Sequence, residues 1–145
     1  MGKEKPAETR LITELRRVGF AADHMDCDVS GFPDILAAMN NVVVPIEVKD
    51  GARGGRIKDL FESTQPAFYE RWRRAGNSVY IAVAFGDAYF IYDGKKALRL
   101  KLMDPNALVS SLPLLFSGDA RATALIFFKH HVVDFLNKKM GDTNG

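Results

Sequence analysis

Four side chains in the first fifty residues have types and spacing suited to hydrolytic chemistry: Glu8, Asp34, Glu47 and Lys49. Asp34 closes the tripeptide Phe32-Pro33-Asp34, and Glu47-Val48-Lys49 ends an apolar run that starts at Val42. A second apolar run, Ile35 to Met39, precedes it. The two are joined by Asn40-Asn41, turn chemistry suited to a hairpin. Alternation then puts Val42, Val44, Ile46 and Val48 on one face and Val43, Pro45, Glu47 and Lys49 on the other. Pairing of the runs makes Asp34, Glu47 and Lys49 converge. Two acids and an amine at an apolar sheet end are costly to bury unless a cation neutralises them. All-oxygen ligation by Asp and Glu suits Mg²⁺, with Mn²⁺ able to substitute, rather than zinc. Such an ion polarises a phosphodiester, lowers the pKa of a bound water and stabilises developing negative charge.

Several elements must position these groups. Residues Pro6 to Val18 read as a helix with Pro in its first turn, Arg16 and Arg17 in its last, and Gly19 as the stop. Leu11, Ile12, Leu15 and Val18 form its apolar stripe. Glu8 lies on that stripe, whereas Glu14 falls roughly 90° from its centre and can reach solvent. Phe20 to Ala22 can begin a strand. Asp23 to Gly31 reads as a solvated acidic loop, because Asp23, His24, Asp26 and Asp28 match no metal-ligand spacing, the Ca²⁺ loop included. Pro45 removes a ladder donor, so its strand is expected to be at an edge or bulged there.

Downstream, a helical region from Ile57 to Ala75, broken before Pro66, stops at Gly76 and shares one face among Gln65, Phe68, Tyr69 and Trp72. Ser78 to Phe85 and Ala88 to Tyr92 predict a hairpin around Gly86-Asp87. Ala97 to Leu102 suggests a further strand after Asp93-Gly94, for about five in all. Asp119 to Met140 reads as one long helix. It is apolar on more than one face through Leu125, Phe128, Val132, Phe135 and Leu136, which points to a homodimer interface. His130 and His131 are adjacent and diverge, so they do not share an ion. Gly141 to Gly145 reads as a disordered tail.

Composition narrows the class. At 145 residues, 47% hydrophobic and 26% charged, the chain fits one soluble domain. The N-terminus has no apolar leader region, and the apolar run Ala122 to Phe128 falls well short of the roughly 20 residues that cross a bilayer. The single cysteine, Cys27, permits no intrachain disulfide and no cysteine-based zinc site, which suits the cytoplasm. Net charge is only +2, so any claim on nucleic acid rests on local patches: Arg53/Arg56/Lys58, Arg71/Arg73/Arg74 and Lys95/Lys96/Arg99/Lys101.

The Asp34 to Glu47-Val48-Lys49 pattern resembles the PD-(D/E)xK nuclease superfamily. The segment Glu8 to Phe20 resembles the opening helix of archaeal Holliday junction resolvases, in which a catalytic Glu precedes an amphipathic helix ending in Gly-Phe. The interval from Asp34 to Glu47 and Lys49 is also similar. A second resemblance, toward which the motifs lean, is to the VRR-NUC nucleases, through Gly31-Phe32-Pro33-Asp34, Ile46-Glu47-Val48-Lys49 and Gln65 followed by a helix ending at Gly76. Phe32 departs from the smaller apolar residue common in that group, and so does the loop Asp23 to Asp28. The two resemblances span about residues 6 to 92.

They imply an α/β fold with a restriction-endonuclease-like core, a mixed sheet flanked by helices, and an extra C-terminal helix. The chain would be one nuclease domain over 1–145, with its core at about 6–102 and a helical extension at 103–140. They further imply metal ligation by Asp34, Glu47, the Val48 carbonyl and Glu8, with Gln65 supporting the site, and products ending in 5′-phosphate and 3′-hydroxyl. Arg53, Arg56 and Lys58 are the expected phosphate contacts. Branched DNA cut by a homodimer is the expected substrate. The alternatives are a less selective nuclease for duplex, flap or single strands, and an inactive nucleic-acid-binding module.

Overall fold

Leu11, Ile12 and Leu15 recur at helical spacing, and in the computed structural model they seal one side of helix α1 (Glu4–Arg17) from solvent. The structure describes residues 4–26, 32–39, 42–51, 55–61, 65–75, 78–130, 136–137 and 139–140. Gly19 ends the helix at φ 109°, a conformation that side chains with a Cβ rarely adopt. It lets the Phe20 N–H turn back to the Leu15 carbonyl and the Gly19 N–H to that of Arg16.

The chain then enters a six-stranded sheet whose spatial order follows the sequence: β1 (Ala21–His24), β2 (Ile35–Met39), β3 (Val42–Asp50), β4 (Tyr80–Phe85), β5 (Ala88–Asp93) and β6 (Leu114–Gly118). Every neighbouring pair is antiparallel except β3 and β4. A parallel pair needs a crossover, and helix α2 (Gln65–Arg74), preceded by a 3-10 turn at Ile57–Asp59, lies within it. Leu36 pairs with Pro45, while the parallel register with β4 begins only at Ile46 opposite Tyr80. Pro45 therefore sits where β3 is laddered on one side, which reconciles an edge-type residue with an inner strand.

Two hydrophobic cores occupy the two sheet faces. One joins Leu11, Ile12 and Leu15 to Ile35, Val44, Ile46, Val48, Tyr89, Ile91 and Phe127. The other joins Ile57, Phe68, Tyr69, Ile81, Val83, Tyr92 and Ala97. Period-two alternation along β3 and β4 divides the side chains between them. The result is a mixed α/β architecture, a six-stranded sheet with helices packed on both faces.

Three readings need correction. Ala97 to Leu102 is not a strand but part of helix α3 (Gly94–Met103). Asp93 is its N-cap, accepting from the Lys95 N–H, so Asp93-Gly94 starts a helix rather than a hairpin turn. Gly94 is required there, because its N–H donates to the Val79 carbonyl and an added Cβ would lie 2.5 Å from that oxygen. Second, the sheet gains β6, a short strand with no clean alternation. Third, β1 includes Asp23 and His24, so the acidic loop starts later. After Asp119 comes helix α4 (Ala120–Phe128), capped by the Asp119 carboxylate on the Ala122 N–H, and the described residues beyond it, 129–130, 136–137 and 139–140, are helical too. The readings placed on Cys27, Asp28, Asn40-Asn41, His131, Val132, Phe135 and the tail lie outside the described residues. α4 packs on α1 and puts Ala124 and Phe127 into the first core. Among the described residues no helix is long and apolar enough to cross a membrane.

The Tyr89 hydroxyl, buried, donates to the Ala7 carbonyl at 2.7 Å and ties β5 to α1. Tyr89→Phe leaves that carbonyl without this donor and should cost about 1–3 kcal/mol, read as a lower chemical-denaturation midpoint. Burial raises the Tyr89 phenol pKa, with Arg10 opposing, and burial also raises that of Tyr92. The native state therefore holds protons that the unfolded chain loses above about pH 10. Stability is insensitive to these groups below that pH and falls as pH climbs beyond it.

Candidate active site

The strand β3 delivers Glu47 to the face under α2, where only 2% of the residue is exposed. An ionised carboxylate there must be compensated. Gln65, the first residue of α2, donates its Nε2–H to Glu47 Oε2 at 2.7 Å, and the Tyr69 hydroxyl lies 3.5 Å from the same oxygen. The Lys49 Nζ stands 3.7 Å from Glu47 Oε1 and is itself mostly covered. Lys49 and Glu47 are two apart on one strand and therefore share a face, as the alternation predicts.

Asp34 enters just before β2. Its Oδ2 accepts the Val48 N–H at 2.9 Å, and its backbone carbonyl accepts the Met25 N–H at 2.8 Å. Within an extended strand the N–H and C=O of one residue leave by the same edge. The Val48 carbonyl is therefore directed to the Asp34 side of β3. Asp34 is thus held at the β3 backbone between Glu47 and Lys49, while Gln65 reaches Glu47 from α2.

Glu8 is held differently. It is 7% exposed, on the buried side of α1, and its Oε2 lies 3.0 Å from His24 Nδ1 on β1; His24 Nε2 is 3.5 Å from the Thr9 hydroxyl. Glu14 is less exposed than its helical phase suggests: its side chain is 16% exposed and accepts from Arg17 at 2.7 Å. Among the described residues no three His, Cys, Asp or Glu side chains form a metal-binding group, so Glu8 is not gathered with Asp34 and Glu47 into a three-acid set.

Mg²⁺ commonly takes one or two carboxylates and completes its octahedron with water and substrate oxygens. Two carboxylates of Asp34 and Glu47, with a strand carbonyl directed to the same edge, are a donor set of that kind. In the chemistry of their donors Asp34, Glu47 and the Val48 carbonyl suit such an ion.

Two contributors escaped the sequence reading. Tyr69 carried a signal, one helical turn beyond Gln65 on the same face. His24 carried none, because its role depends on β1 pairing beside α1. Of the expected phosphate contacts, Arg53 lies outside the described residues. Arg56 and Lys58 are exposed, and their segment is pinned by the Ile57 N–H on the Ala107 carbonyl and the Lys58 N–H on that of Pro105. On α2, Arg73 and Arg74 both bind Glu70, and the hydrogen bond from Arg73 lowers that carboxyl to about 2. Their charge is thus partly spent within the helix.

No family model matches the chain, and no curated protein does. Among solved structures it is similar to Hjc, a Holliday junction resolvase from the archaeal hyperthermophile Archaeoglobus fulgidus. The identity is 23% over 66% of this chain and 75% of that one, with a TM-score of 0.49.

Proposed function

We propose that the chain is a single-domain, metal-dependent endodeoxyribonuclease that hydrolyses phosphodiesters of branched DNA as a homodimer in the cytoplasm. The observations that support this reading are the Asp34 carboxylate on the Val48 N–H of β3, the Lys49–Glu47 pair on that strand, and the hydrogen bond that Gln65 donates to Glu47 from α2. Asp34, Glu47 and the Val48 carbonyl would hold a Mg²⁺ ion, or Mn²⁺ in its place, supplying Lewis acidity toward the scissile phosphate and its attacking water.

The protein's own groups do the rest. Gln65 fixes the rotamer of Glu47, and the Val48 N–H fixes that of Asp34, so both carboxylates are set before substrate arrives. Lys49, beside Glu47, orients the attacking water or the phosphate oxygens. Glu8, oriented by His24, assists directly or through water at a second ion. Arg56 and Lys58, with Arg53, contact the DNA backbone. A binding module without activity gains nothing from acids facing phosphates, which disfavours that alternative.

Purified protein incubated with labelled four-way junction, flap, duplex and single-stranded DNA in Mg²⁺ tests the reading. Junction cleavage with 5′-phosphate and 3′-hydroxyl ends is expected. Cleavage of all four at similar rates would favour the less selective nuclease, and none would sink the assignment.

Glu8→Gln should slow cleavage at least about tenfold, the lower end for removing a group that supports a metal site. Glu14→Gln, on the same helix, should stay within about twofold. A larger loss at Glu14 would mean that the inward carboxylate is not the functional one. Arg56→Ala with Lys58→Ala should weaken DNA binding and make its salt dependence shallower by about two phosphate contacts. An unchanged slope would move the footprint to another surface.

A further inference from the structure

The rings next to the site form a continuous cluster. Phe32, two residues before Asp34, meets Phe68 edge-on at 5.1 Å and Trp72 at 6.2 Å. Phe68 and Trp72 stack at 5.2 Å with their planes 26° apart. Phe68 is buried and serves as the floor, whereas Phe32 and Trp72 remain partly open to solvent. The Arg71 guanidinium lies over Phe68 at 5.6 Å, and its side chain is exposed. The next residue along α2 from Phe68 is Tyr69, whose hydroxyl reaches Glu47. Open aromatic surface with a cation beside it, one helical step from the acids, suits a flat apolar group carried on an anionic chain.

We propose that Phe32 and Trp72 form a stacking platform for an unpaired nucleobase adjoining the scissile phosphate. The platform rests on the nuclease reading and specifies its substrate: DNA with unstacked bases at the point of cleavage, as at a branch, rather than uninterrupted duplex. A base pair inside a duplex offers no free face to a ring, while a splayed base does. Arg71 would face the neighbouring phosphate.

Trp72 is the single tryptophan of the chain, so its emission reports on this surface alone. The test uses the full-length Glu47→Gln protein in chelator, where no cutting occurs. It is titrated with a twelve-residue oligothymidylate, an abasic oligomer of equal length and charge, and a blunt twelve-base-pair duplex. Saturable quenching by oligothymidylate, and little by the other two, is expected. Phe32→Leu should weaken oligothymidylate binding by between about 5-fold and about 150-fold, the range for losing one stacked base, with duplex binding changed less than threefold. Trp72→Phe, which keeps a ring, should hold affinity by anisotropy within threefold.

Equal quenching by the abasic oligomer, or affinity indifferent to Phe32→Leu, overturns the platform. So does emission that shifts with protein concentration alone as the mass doubles, which would bury the rings between two copies. Junction cleavage by the wild type without Trp72 quenching removes only the platform. Quenching without cleavage of any substrate removes the nuclease reading and leaves a base-binding surface.

Discussion

Glu47→Gln should reduce Mg²⁺-dependent cleavage by about 10²- to 10³-fold or more, because a metal ligand that supplies several kcal/mol of transition-state stabilisation is lost. The chain should stay folded. The amide oxygen of the new residue can still accept from Gln65, and the volume at this 2%-exposed position is kept. The cost is the ion pair with Lys49, so a modest drop in thermal midpoint is expected alongside a near-total loss of rate. Asp34→Asn should behave alike, with DNA affinity unchanged or tighter, since an acid facing phosphates has been removed. Single-turnover cleavage and equilibrium binding on one labelled junction separate the two effects. Either variant cutting at the wild-type rate would place the metal elsewhere.

Phe127→Ala should destabilise the fold by about 3–5 kcal/mol, the range for truncating a buried Phe. Phe127 is 1% exposed, and its ring meets Tyr80 and Phe116 edge-on, each at 5.2 Å. At a few degrees per kcal/mol for a chain of this size, the midpoint should fall by roughly 10 °C. Leu125→Ala, on the exposed side of α4, should move it by less than about 1 kcal/mol. If the two cost the same, α4 is an appendage and not part of the first core. Leu125 is also an exposed candidate for the proposed dimer contact, so Leu125→Lys should lower the mass from twice 16.1 kDa to once that value. A dimer unaffected by it would shift the interface off α4.

The sequence was most legible where one periodicity governed a long stretch. The stripe of α1, the hairpin of β2 and β3, and the shared face of Glu47 and Lys49 follow from spacing alone. The Val48 N–H that anchors Asp34 was not visible, because it depends on the register between two strands. α3 was misread for a local reason: Lys95 to Leu102 is apolar at intervals a strand could also use, and only the Asp93 cap with the close approach of Gly94 to Val79 settles the helix. β6 had too few alternating residues to announce itself. Its burial comes from β5 and from Phe127, some ten residues further on. His24 was read as one member of an acidic loop, and its partner Glu8 lies sixteen residues back, across an element boundary.

The packing of α4 against α1 also orders events during synthesis. Asp34, Glu47 and Gln65 are all made within the first sixty-five residues, and β4, which pairs with β3, follows soon after. The apolar stripe of Leu11, Ile12 and Leu15 has a harder wait, because Ala124 and Phe127 are the last described members of its core to be made. At about 5–20 residues per second, that gap lasts roughly ten seconds. For that interval the nascent chain carries the stripe without its last partners, an incompletely covered apolar surface, and it is then that holdase chaperones have something to grip.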